Sequence, residues 1–342
     1  MIQQLETRHL KMTRRRVLGL FAATSVTGLA AALQIRPDAP VPEFLRWQGQ
    51  ALGANATLHF HHEDAAESRR LLKLALGEID RLEGIFSLYR TESALARLNR
   101  HGVLHDPPAE LVALLERAQL VSQVTNGAFD VTVQPLWSLY QRHFARNRAD
   151  PDGPSQKEIA SVQRLVGYQR LDISKRRISF ERLGMAITLN GIAQGEITDR
   201  VADLLANEGL THSLIDLGEM RAIGSHPSGR AWRVGLKDAF NTTRTTGKLG
   251  LTNRALATSA VTGTVFDRSG RHHHVLDPVT GAPGRGLVSA SVVARRAATA
   301  DALSTALLAT EQHLAAPALA WVGVEQIFTT DRNGGTRRLA LV

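Results

Sequence analysis

The chain has 342 residues, of which 43% are hydrophobic and 21% are charged. This length and composition are typical of a soluble globular protein with one large domain or two. The absence of cysteine excludes a disulfide framework and any metal site built from thiolates. The formal net charge is +9, of which residues 1–32 carry +4, and the remaining +5 is a mild bias that can help to attract an anionic nucleotide or phosphate. It does not form a basic stripe with interleaved aromatic residues, so we expect no nucleic-acid partner.

The first 32 residues have the features of an export signal. Arg14 and Arg15 precede an apolar run over residues 18–33, which at about 16 residues is shorter than the roughly 20 that a membrane-spanning helix needs. Small residues at 30–32 suit a cleavage site. The arginine pair predicts the twin-arginine export machinery and a periplasmic location. The alternatives are an uncleaved membrane anchor and a start codon at Met12 instead of Met1.

After this signal, residues 33–46 contain three prolines and are predicted to be a linker, and residues 47–342 are predicted to form a single large domain. Apolar residues at helical spacing predict helices over 65–85, 110–125, 194–208 and 299–308. Alternating apolar residues predict two strands within 47–60, a hairpin over 170–189, and strands over 213–219, 232–236, 256–259, 274–276 and 287–293. Because these elements mix without a regular βαβ period, we expect an α+β fold of mixed sheets with packed helices.

A glycine-rich turn, Asn-Gly-Ile-Ala-Gln-Gly over residues 190–195, lies between a predicted strand and a predicted helix. Its two glycines allow the backbone to approach a ligand, and the free amides at a helix N-terminus attract phosphate. By itself such a turn favours nucleotide binding only weakly, because a plain connection has the same composition.

Asp301 and Thr305 lie four residues apart in the helix predicted over 299–308. They therefore share one helix face, one turn apart. A carboxylate and a hydroxyl on that face suit Mg²⁺ when water or phosphate oxygens complete its coordination. The alternative is an Asp301 that caps a helix start beside a Thr305 that only packs.

Three consecutive histidines, residues 272–274, precede an Asp-Pro pair and a Thr-Gly-Ala-Pro turn. Neighbouring residues of a strand point to opposite faces, so three of them cannot easily bind one zinc ion. A single inward His274 beside a diphosphate is easier to build, and a purely structural histidine is the alternative.

Two further segments are weaker candidates. Tyr89 ends the stretch Phe-Ser-Leu-Tyr and has a ring able to stack on an aromatic ligand. Residues 127–133, Gly-Ala-Phe-Asp-Val-Thr-Val, bring Asp130 and backbone groups to a predicted turn. Taken alone, the composition favours a core position for Tyr89 and local hydrogen bonds for Asp130.

In their order along the chain, these segments resemble the ApbE family over roughly residues 47–310. That family has a Gly near its first strand, followed by F-S-x-Y, G-x-F-D-x-T-V, D-x-G-G-I-A-K-G-Y, L-G-G, T-S-G, H-x-x-D-P-x-T-G-x-P and A-D-A-x-x-T. The matching stretches of this chain are residues 52–53, 86–89, 127–133, 191–195, 217–218, 258–259, 274–283 and 300–305. Many short motifs in one order are far more specific than any one of them.

The resemblance implies an ApbE-like, T-fold-related α+β domain. Such a domain binds FAD, uses Mg²⁺ to cleave the FAD pyrophosphate and passes FMN to a Thr or Ser hydroxyl of an acceptor flavoprotein. It implies that Asp301, Thr305 and the backbone carbonyl of Gly191 hold the metal, and that His274 and Asp301 are catalytic. The FAD contacts that it implies are Leu52, Tyr89, Ala128, Phe129, Asp130, Thr188, Gln194, His274 and Val275.

Several positions depart from the family pattern. Thr188 stands where the family has Asp, Asn190 where it has Gly, Gln194 where it has Lys, Glu196 where it has Tyr, Glu219 at the second Gly of L-G-G, and Ala260 at the Gly of T-S-G. The missing Lys removes a positive charge that would stabilise phosphate. The variant over residues 190–195 resembles the NosX-type subgroup linked to nitrous-oxide reductase maturation. That resemblance implies a membrane-bound regulator and electron donor of the reductase as the acceptor.

Three activities remain open at this point. The protein is an FMN transferase, a flavin-binding protein that stores FAD or carries electrons, or a pyrophosphatase that splits FAD into FMN and AMP. The presence of both Asp301 and Thr305 favours phosphoryl chemistry, whereas Thr188 and Gln194 favour storage.

Overall fold

The computed structural model describes residues 45–51, 54–60, 62, 64–241, 243–310 and 314–341. The predicted export signal, most of the predicted linker, and Leu52 lie outside these residues. No helix within the described ranges is long and apolar enough to cross a membrane.

The strands, in chain order, are β1 (Leu45–Ala51), β2 (Ala54–Phe60), β3 (Val103–His105), β4 (Leu171–Ile173), β5 (Arg177–Phe180), β6 (Ser213–Asp216), β7 (Met220–Ile223), β8 (Trp232–Lys237), β9 (Thr245–Leu251), β10 (Ala255–Ala260), β11 (Leu287–Ala294), β12 (Val324–Asp331) and β13 (Thr336–Ala340).

The α-helices, also in chain order, are α1 (Ala65–Phe86), α2 (Ala94–His101), α3 (Ala109–Val124), α4 (Gln134–Phe144), α5 (Gln156–Gln163), α6 (Ala193–Asn207), α7 (Ala297–Ala309) and α8 (Ala316–Trp321). Short 3₁₀ turns lie at Val131–Val133 and Tyr168–Arg170.

An eight-stranded antiparallel sheet organises the domain. Its strand order is β1-β2-β6-β7-β10-β11-β12-β13, and every neighbouring pair is antiparallel. In strand β2, the buried residues Ala56, Leu58 and Phe60 alternate with more exposed polar residues. Since alternate side chains of a strand point to opposite faces, one face of the sheet packs against the hydrophobic core. Smaller sheets of order β3-β5-β4 and β8-β9 complete the fold.

Helices cover one face of the large sheet, and a hairpin covers the other. The main core combines Leu58 of β2 with apolar residues of α1, α3, α6 and α7, and it also takes Ala257 and Val292 from the sheet. The neighbouring Leu256 and Val293 point to the opposite face, where they pack with Trp232 and other side chains of the β8-β9 hairpin. Each fully buried Leu or Val contributes about 1.5–3 kcal/mol to folding, so both faces of the central strands are stabilised by apolar burial.

Helices α6 and α7 cap each other. Neither Ile192 nor Arg296, the residues that precede these helices, makes a capping hydrogen bond with its own side chain. Instead, Asp301 of α7 accepts the N–H of Gly195 in the first turn of α6 at 3.1 Å. Asp199 of α6 accepts the N–H groups of Ala297 and Ala298 in the first turn of α7 at 3.0 and 3.1 Å. Each helix therefore satisfies amides that the other leaves without a partner.

The charge of Asp199 is balanced within this arrangement. Its carboxylate is fully buried, and it forms ion pairs with Arg221 at 2.6 Å and with Arg296 at 3.1 Å. Both arginines also contact Asp203 of α6, at 3.0 and 2.7 Å. A buried carboxylate with two guanidinium partners and two amide donors avoids the cost of an uncompensated charge.

Two predicted strand segments are not strands in the structure. The hairpin predicted over 170–189 ends with β5 at Phe180, and β3, which the sequence did not indicate, pairs with β5 as well. Residues 185–189 do alternate between buried and partly buried positions. Their backbone bonds go elsewhere, because the Asn99 side chain bonds the N–H and C=O of Ile187, and the Thr188 N–H donates to Val131.

The strand predicted over 274–276 is likewise absent. Residues 264–285 form a looped segment with isolated bridges between Val265 and His273 and between Leu276 and Pro283. The helices predicted over 65–85, 110–125, 194–208 and 299–308 correspond to α1, α3, α6 and α7 within two residues at each end. Antiparallel sheets with helices packed on them, in one domain, confirm the α+β fold class.

We predict that Gly195→Ala destabilises the protein, although alanine is ordinarily the better helix former. A Cβ at this position would lie 2.5 Å from the carbonyl oxygen of Ala297, and a backbone atom of a capped helix cannot move away cheaply. We expect a loss of about 1–3 kcal/mol in the free energy of unfolding, measured by urea denaturation followed by circular dichroism.

The matched control is Gly77→Ala in α1. A Cβ there would have no atom within 4 Å, so alanine should stabilise the protein by roughly 0.5–1 kcal/mol. A Gly195→Ala variant that gains stability as the Gly77 variant does would show that the two helices do not touch at this point.

Candidate functional site

The candidate site is built around the buried helix α7. Most of its residues are buried on every side, as expected of a helix that lies inside the core. Asp301 is 3% exposed and Ser304 is fully buried, while Thr305 is partly exposed. Asp301 and Thr305 lie one turn apart in the same helix, as the sequence predicted, so a carboxylate and a hydroxyl stand on one face at its edge.

Strand β10 and the turn before α6 bring further oxygen atoms to this edge. The Ser259 hydroxyl lies 2.7 Å from the Ser304 hydroxyl and 3.2 Å from the Thr305 hydroxyl. Gly191 lies against Thr305, because a Cβ at Gly191 would stand 2.9 Å from the Thr305 Oγ1 atom. The predicted metal-binding group of Gly191, Asp301 and Thr305 is therefore brought together, with Asp301 bonded to the α6 turn at Gly195.

Glu219 is a further carboxylate at this place, and the sequence alone assigned no role to it. It follows Gly218 in the turn between β6 and β7, where Gly218 has a φ of +99°. Glu219 is only 6% exposed, and its Oε2 atom accepts the N–H of Thr258 at 3.1 Å. The sequence contained one signal for Glu219, because a charged side chain stands there where the family pattern has the second Gly of L-G-G.

The electrostatics of Asp301 and Glu219 are coupled. Burial raises the pKa of Asp301 to about 7, although the Gly195 N–H opposes the shift. Burial, followed by the nearby charge of Asp301, raises the pKa of Glu219 well above its usual range. Both shifts have the direction expected of carboxyl groups that lack a positive partner.

The donor set suits a hard divalent cation. Two carboxylates and the Thr305 hydroxyl are oxygen groups of the kind that Mg²⁺ prefers as ligands. The described residues contain no group of three or more His, Cys, Asp or Glu side chains able to hold a metal ion.

The three consecutive histidines have three different environments. His272 packs on the rings of Tyr140 and Phe144, at centroid distances of 5.9 and 4.9 Å. His273 is fully buried, with its Nε2 atom 2.9 Å from the Gly284 carbonyl. They do not form a shared site, because the His272 ring packs on helix α4 whereas the His273 ring contacts the loop at Gly284.

One ring nitrogen of His274 is engaged by the backbone of Thr264. Its Nδ1 atom lies 2.9 Å from the Thr264 carbonyl oxygen and 3.3 Å from the Thr264 backbone nitrogen, and the described residues give the Nε2 atom no hydrogen-bond partner. Burial lowers the pKa of His274, so the ring is neutral near pH 7. A neutral imidazole with a free Nε2 atom can accept a proton.

Some of the predicted FAD contacts lie close to this group. The Phe129 ring approaches Gly191, since a Cβ at Gly191 would stand 3.4 Å from it, and Gln194 lies against Gly218. Ala128 and Phe129 are buried in the turn that follows α3. The Thr188 hydroxyl accepts the N–H of Asn190 at 3.2 Å and so helps to shape the glycine-rich turn.

Other predicted FAD contacts have different surroundings. The Asp130 carboxylate accepts the N–H and hydroxyl of Thr132 at 2.8 and 2.6 Å and the N–H of Tyr168 at 2.8 Å. It is therefore committed to local hydrogen bonds. Val275 is buried in an apolar cluster with Val261 and Leu308. Tyr89 is 76% exposed, which leaves its ring open to a ligand.

The sequence and the fold both have relatives among known proteins. The model of the ApbE family matches residues 52–328. An FAD:protein FMN transferase of Treponema pallidum is 32% identical over 262 residues, covering 71% of this chain and 72% of that protein. One from Vibrio cholerae is 27% identical over 294 residues, covering 83% and 86%.

Solved structures agree with this assignment. The crystal structure of the ApbE protein from Thermotoga maritima has a TM-score of 0.76 and 26% identity, and the alignment covers 86% of this chain and 96% of that one. The apo flavinyl transferase ApbE of Pseudomonas stutzeri has a TM-score of 0.72 and 26% identity, with coverage of 87% and 94%. Matched over most of its length by the family model and by these structures, the chain belongs to the ApbE family.

Proposed function

We propose that this protein transfers FMN from FAD to a Thr or Ser hydroxyl of an acceptor flavoprotein, with Mg²⁺ as its cofactor. The observation that carries the proposal is the contact of Gly191 with Thr305, one helical turn from the buried Asp301, which itself bonds the α6 turn. Membership of the ApbE family and the FAD:protein FMN transferase names of its relatives support the choice of reaction.

Mg²⁺ would be held by Asp301, Thr305 and the backbone carbonyl of Gly191. When bound, the ion neutralises charge on the FAD diphosphate and so helps AMP to leave. Asp301 is well suited to hold an ion in one place, because one of its oxygens is fixed by the Gly195 N–H and the helix that carries it is buried.

The reaction exchanges one phosphorus–oxygen bond for another. The acceptor hydroxyl oxygen attacks the phosphorus of the FMN half of FAD, and the bond from that phosphorus to the bridging oxygen breaks, so that AMP departs with that oxygen. We assign His274 to take the hydroxyl proton on its Nε2 atom, since its Nδ1 atom is engaged by Thr264. Gln194 replaces a positive charge by a neutral donor, so the diphosphate depends more on the cation.

The proposed cellular setting rests on two features of the sequence. The arginine pair and short apolar run near the N-terminus support export by the twin-arginine machinery to the periplasm. The variant glycine-rich turn over residues 190–195 supports an acceptor of the NosX-linked type, a membrane-bound regulator and electron donor of nitrous-oxide reductase.

Replacing Asp301 by Asn should abolish most of the transfer activity while the fold is retained. The amide oxygen of Asn can still accept the Gly195 N–H, but it supplies no negative charge to a cation. We expect a loss of at least about a hundredfold. Purified protein is incubated with FAD, MgCl₂ and an acceptor fragment, and the products are read by mass spectrometry, with EDTA as a further control.

The matched variant is Asp172→Asn, which removes an exposed carboxylate of β4 and should transfer FMN at the wild-type rate. FMN on the acceptor supports the transferase, free FMN and AMP would indicate the pyrophosphatase, and unchanged FAD would indicate storage. Equal transfer by wild type and the Asp301 variant at limiting Mg²⁺ would overturn the metal-binding role.

Replacing His274 by Asn should separate binding from transfer. We expect the variant to transfer FMN about 10²–10⁴-fold more slowly, the range that general base catalysis contributes, and this loss of rate to exceed any loss of FAD affinity in a fluorescence titration. His105→Asn, on the exposed edge of β3, is the control. If the His274 variant transferred FMN normally, the hydroxyl proton would have another acceptor.

A further inference from the structure

Glu219 and Asp301 are an unusual pair among the buried carboxylates described in the structure. Glu196 is paired with Arg200 at 2.7 Å, and Asp199 with Arg221 at 2.6 Å. The Asp130 carboxylate accepts three hydrogen bonds. No salt bridge to either Glu219 or Asp301 occurs in the described part of the chain. Burying two interacting carboxylates without a cation is costly.

Each of the two carboxylates has one oxygen that is held and one that is free. Glu219 accepts the Thr258 N–H on its Oε2 atom, and Asp301 accepts the Gly195 N–H on its Oδ2 atom. Within the described ranges no donor reaches the other oxygen of either group. The amides therefore fix both carboxylates in place and leave one oxygen of each available to a ligand that supplies positive charge.

Glu219 is attached to the same elements that hold the other candidate ligands. Its amide donor, Thr258, precedes Ser259, whose hydroxyl contacts Ser304 and Thr305. The hydroxyl of Thr198 in α6 donates to the Gln194 carbonyl at 2.8 Å and also lies 3.3 Å from the Glu219 carbonyl, so α6 packs against the Glu219 backbone. Strand β10 and the two mutually capped helices thus position Glu219, Asp301 and Thr305 together.

We infer that Glu219 is a further ligand of the divalent cation, so that this chain holds the ion with two carboxylates. The inference rests on the proposed function for the presence of the ion, and it adds a ligand that comes from the turn between β6 and β7. It also accounts for Gln194, which lies against the neighbouring Gly218. A positively charged side chain there would compete with the cation for Glu219, and a neutral amide does not.

The test is Mn²⁺ binding to FAD-free protein, followed by electron paramagnetic resonance of the free ion. Glu219→Gln keeps an oxygen able to accept the Thr258 N–H but removes the charge. We expect its Mn²⁺ affinity to fall about ten- to a hundredfold, together with a smaller rise in the thermal unfolding midpoint on addition of Mn²⁺. Without metal, its midpoint should equal or exceed that of the wild type, because a buried charge has been removed.

Glu110→Gln is the matched control, since Glu110 pairs with Arg81 at 2.7 Å on the surface and its variant should bind Mn²⁺ as the wild type does. Glu219→Gly, which restores the glycine that the family pattern has at this position, is a second variant in case Glu219→Gln folds poorly. It should show the same loss of Mn²⁺ affinity.

The outcomes separate this inference from the proposed function. If both Glu219 variants bound Mn²⁺ with wild-type affinity while Asp301→Asn did not, Glu219 would not be a ligand, and the transferase proposal would stand. If Glu219→Gln weakened Mn²⁺ binding but the wild type transferred no FMN, the ligand would stand and the transferase proposal would fail. Wild-type protein that bound no Mn²⁺ would overturn the ligand assignment.

Discussion

The candidate site depends on one interaction, the reciprocal capping of helices α6 and α7 by a carboxylate from each. A helix N-terminus exposes amides that need acceptors, and neither helix has a capping side chain of its own. Asp199 of α6 accepts amides of α7, and Asp301 of α7 accepts an amide of α6. The two helices can approach this closely because Gly195 has no Cβ. Such caps are worth about 0.5–2 kcal/mol each, and they also fix where the two carboxylates stand.

The two caps differ in how their charge is balanced. Asp199 has two arginine partners and needs nothing further. Asp301 has none in the described part of the chain and lies near a second buried acid, Glu219. The protein therefore retains an electrostatic cost in its core that a bound cation can relieve, and the stability of the fold and the affinity for a cation become linked.

The sequence departures become related to one another only in the folded chain. Gln194 and Glu219 are 25 positions apart in the sequence, yet Gln194 lies against Gly218, directly beside Glu219. Both changes make the site more negative than the family pattern implies. Viewed one at a time, they suggest a weakened phosphate site. Viewed together, they place more negative charge where the proposed divalent cation would bind.

The sequence by itself determined four of the helices in the described residues (α1, α3, α6 and α7), the α+β class and the placement of Asp301 and Thr305 on one helix face. It could do so because periodicity and short motifs are local properties of the chain. Only the tertiary structure determined which hydrogen-bond and charge partners the backbone groups and carboxylates find. Residues 185–189 alternate like a strand, but Asn99 takes the bonds of Ile187. The Asp130 carboxylate accepts hydrogen bonds from Thr132 and Tyr168. Glu219 lies near Asp301 in the fold although the two are 82 positions apart in the sequence. Burial and charge balance depend on contacts between distant segments, and no local pattern contains that information.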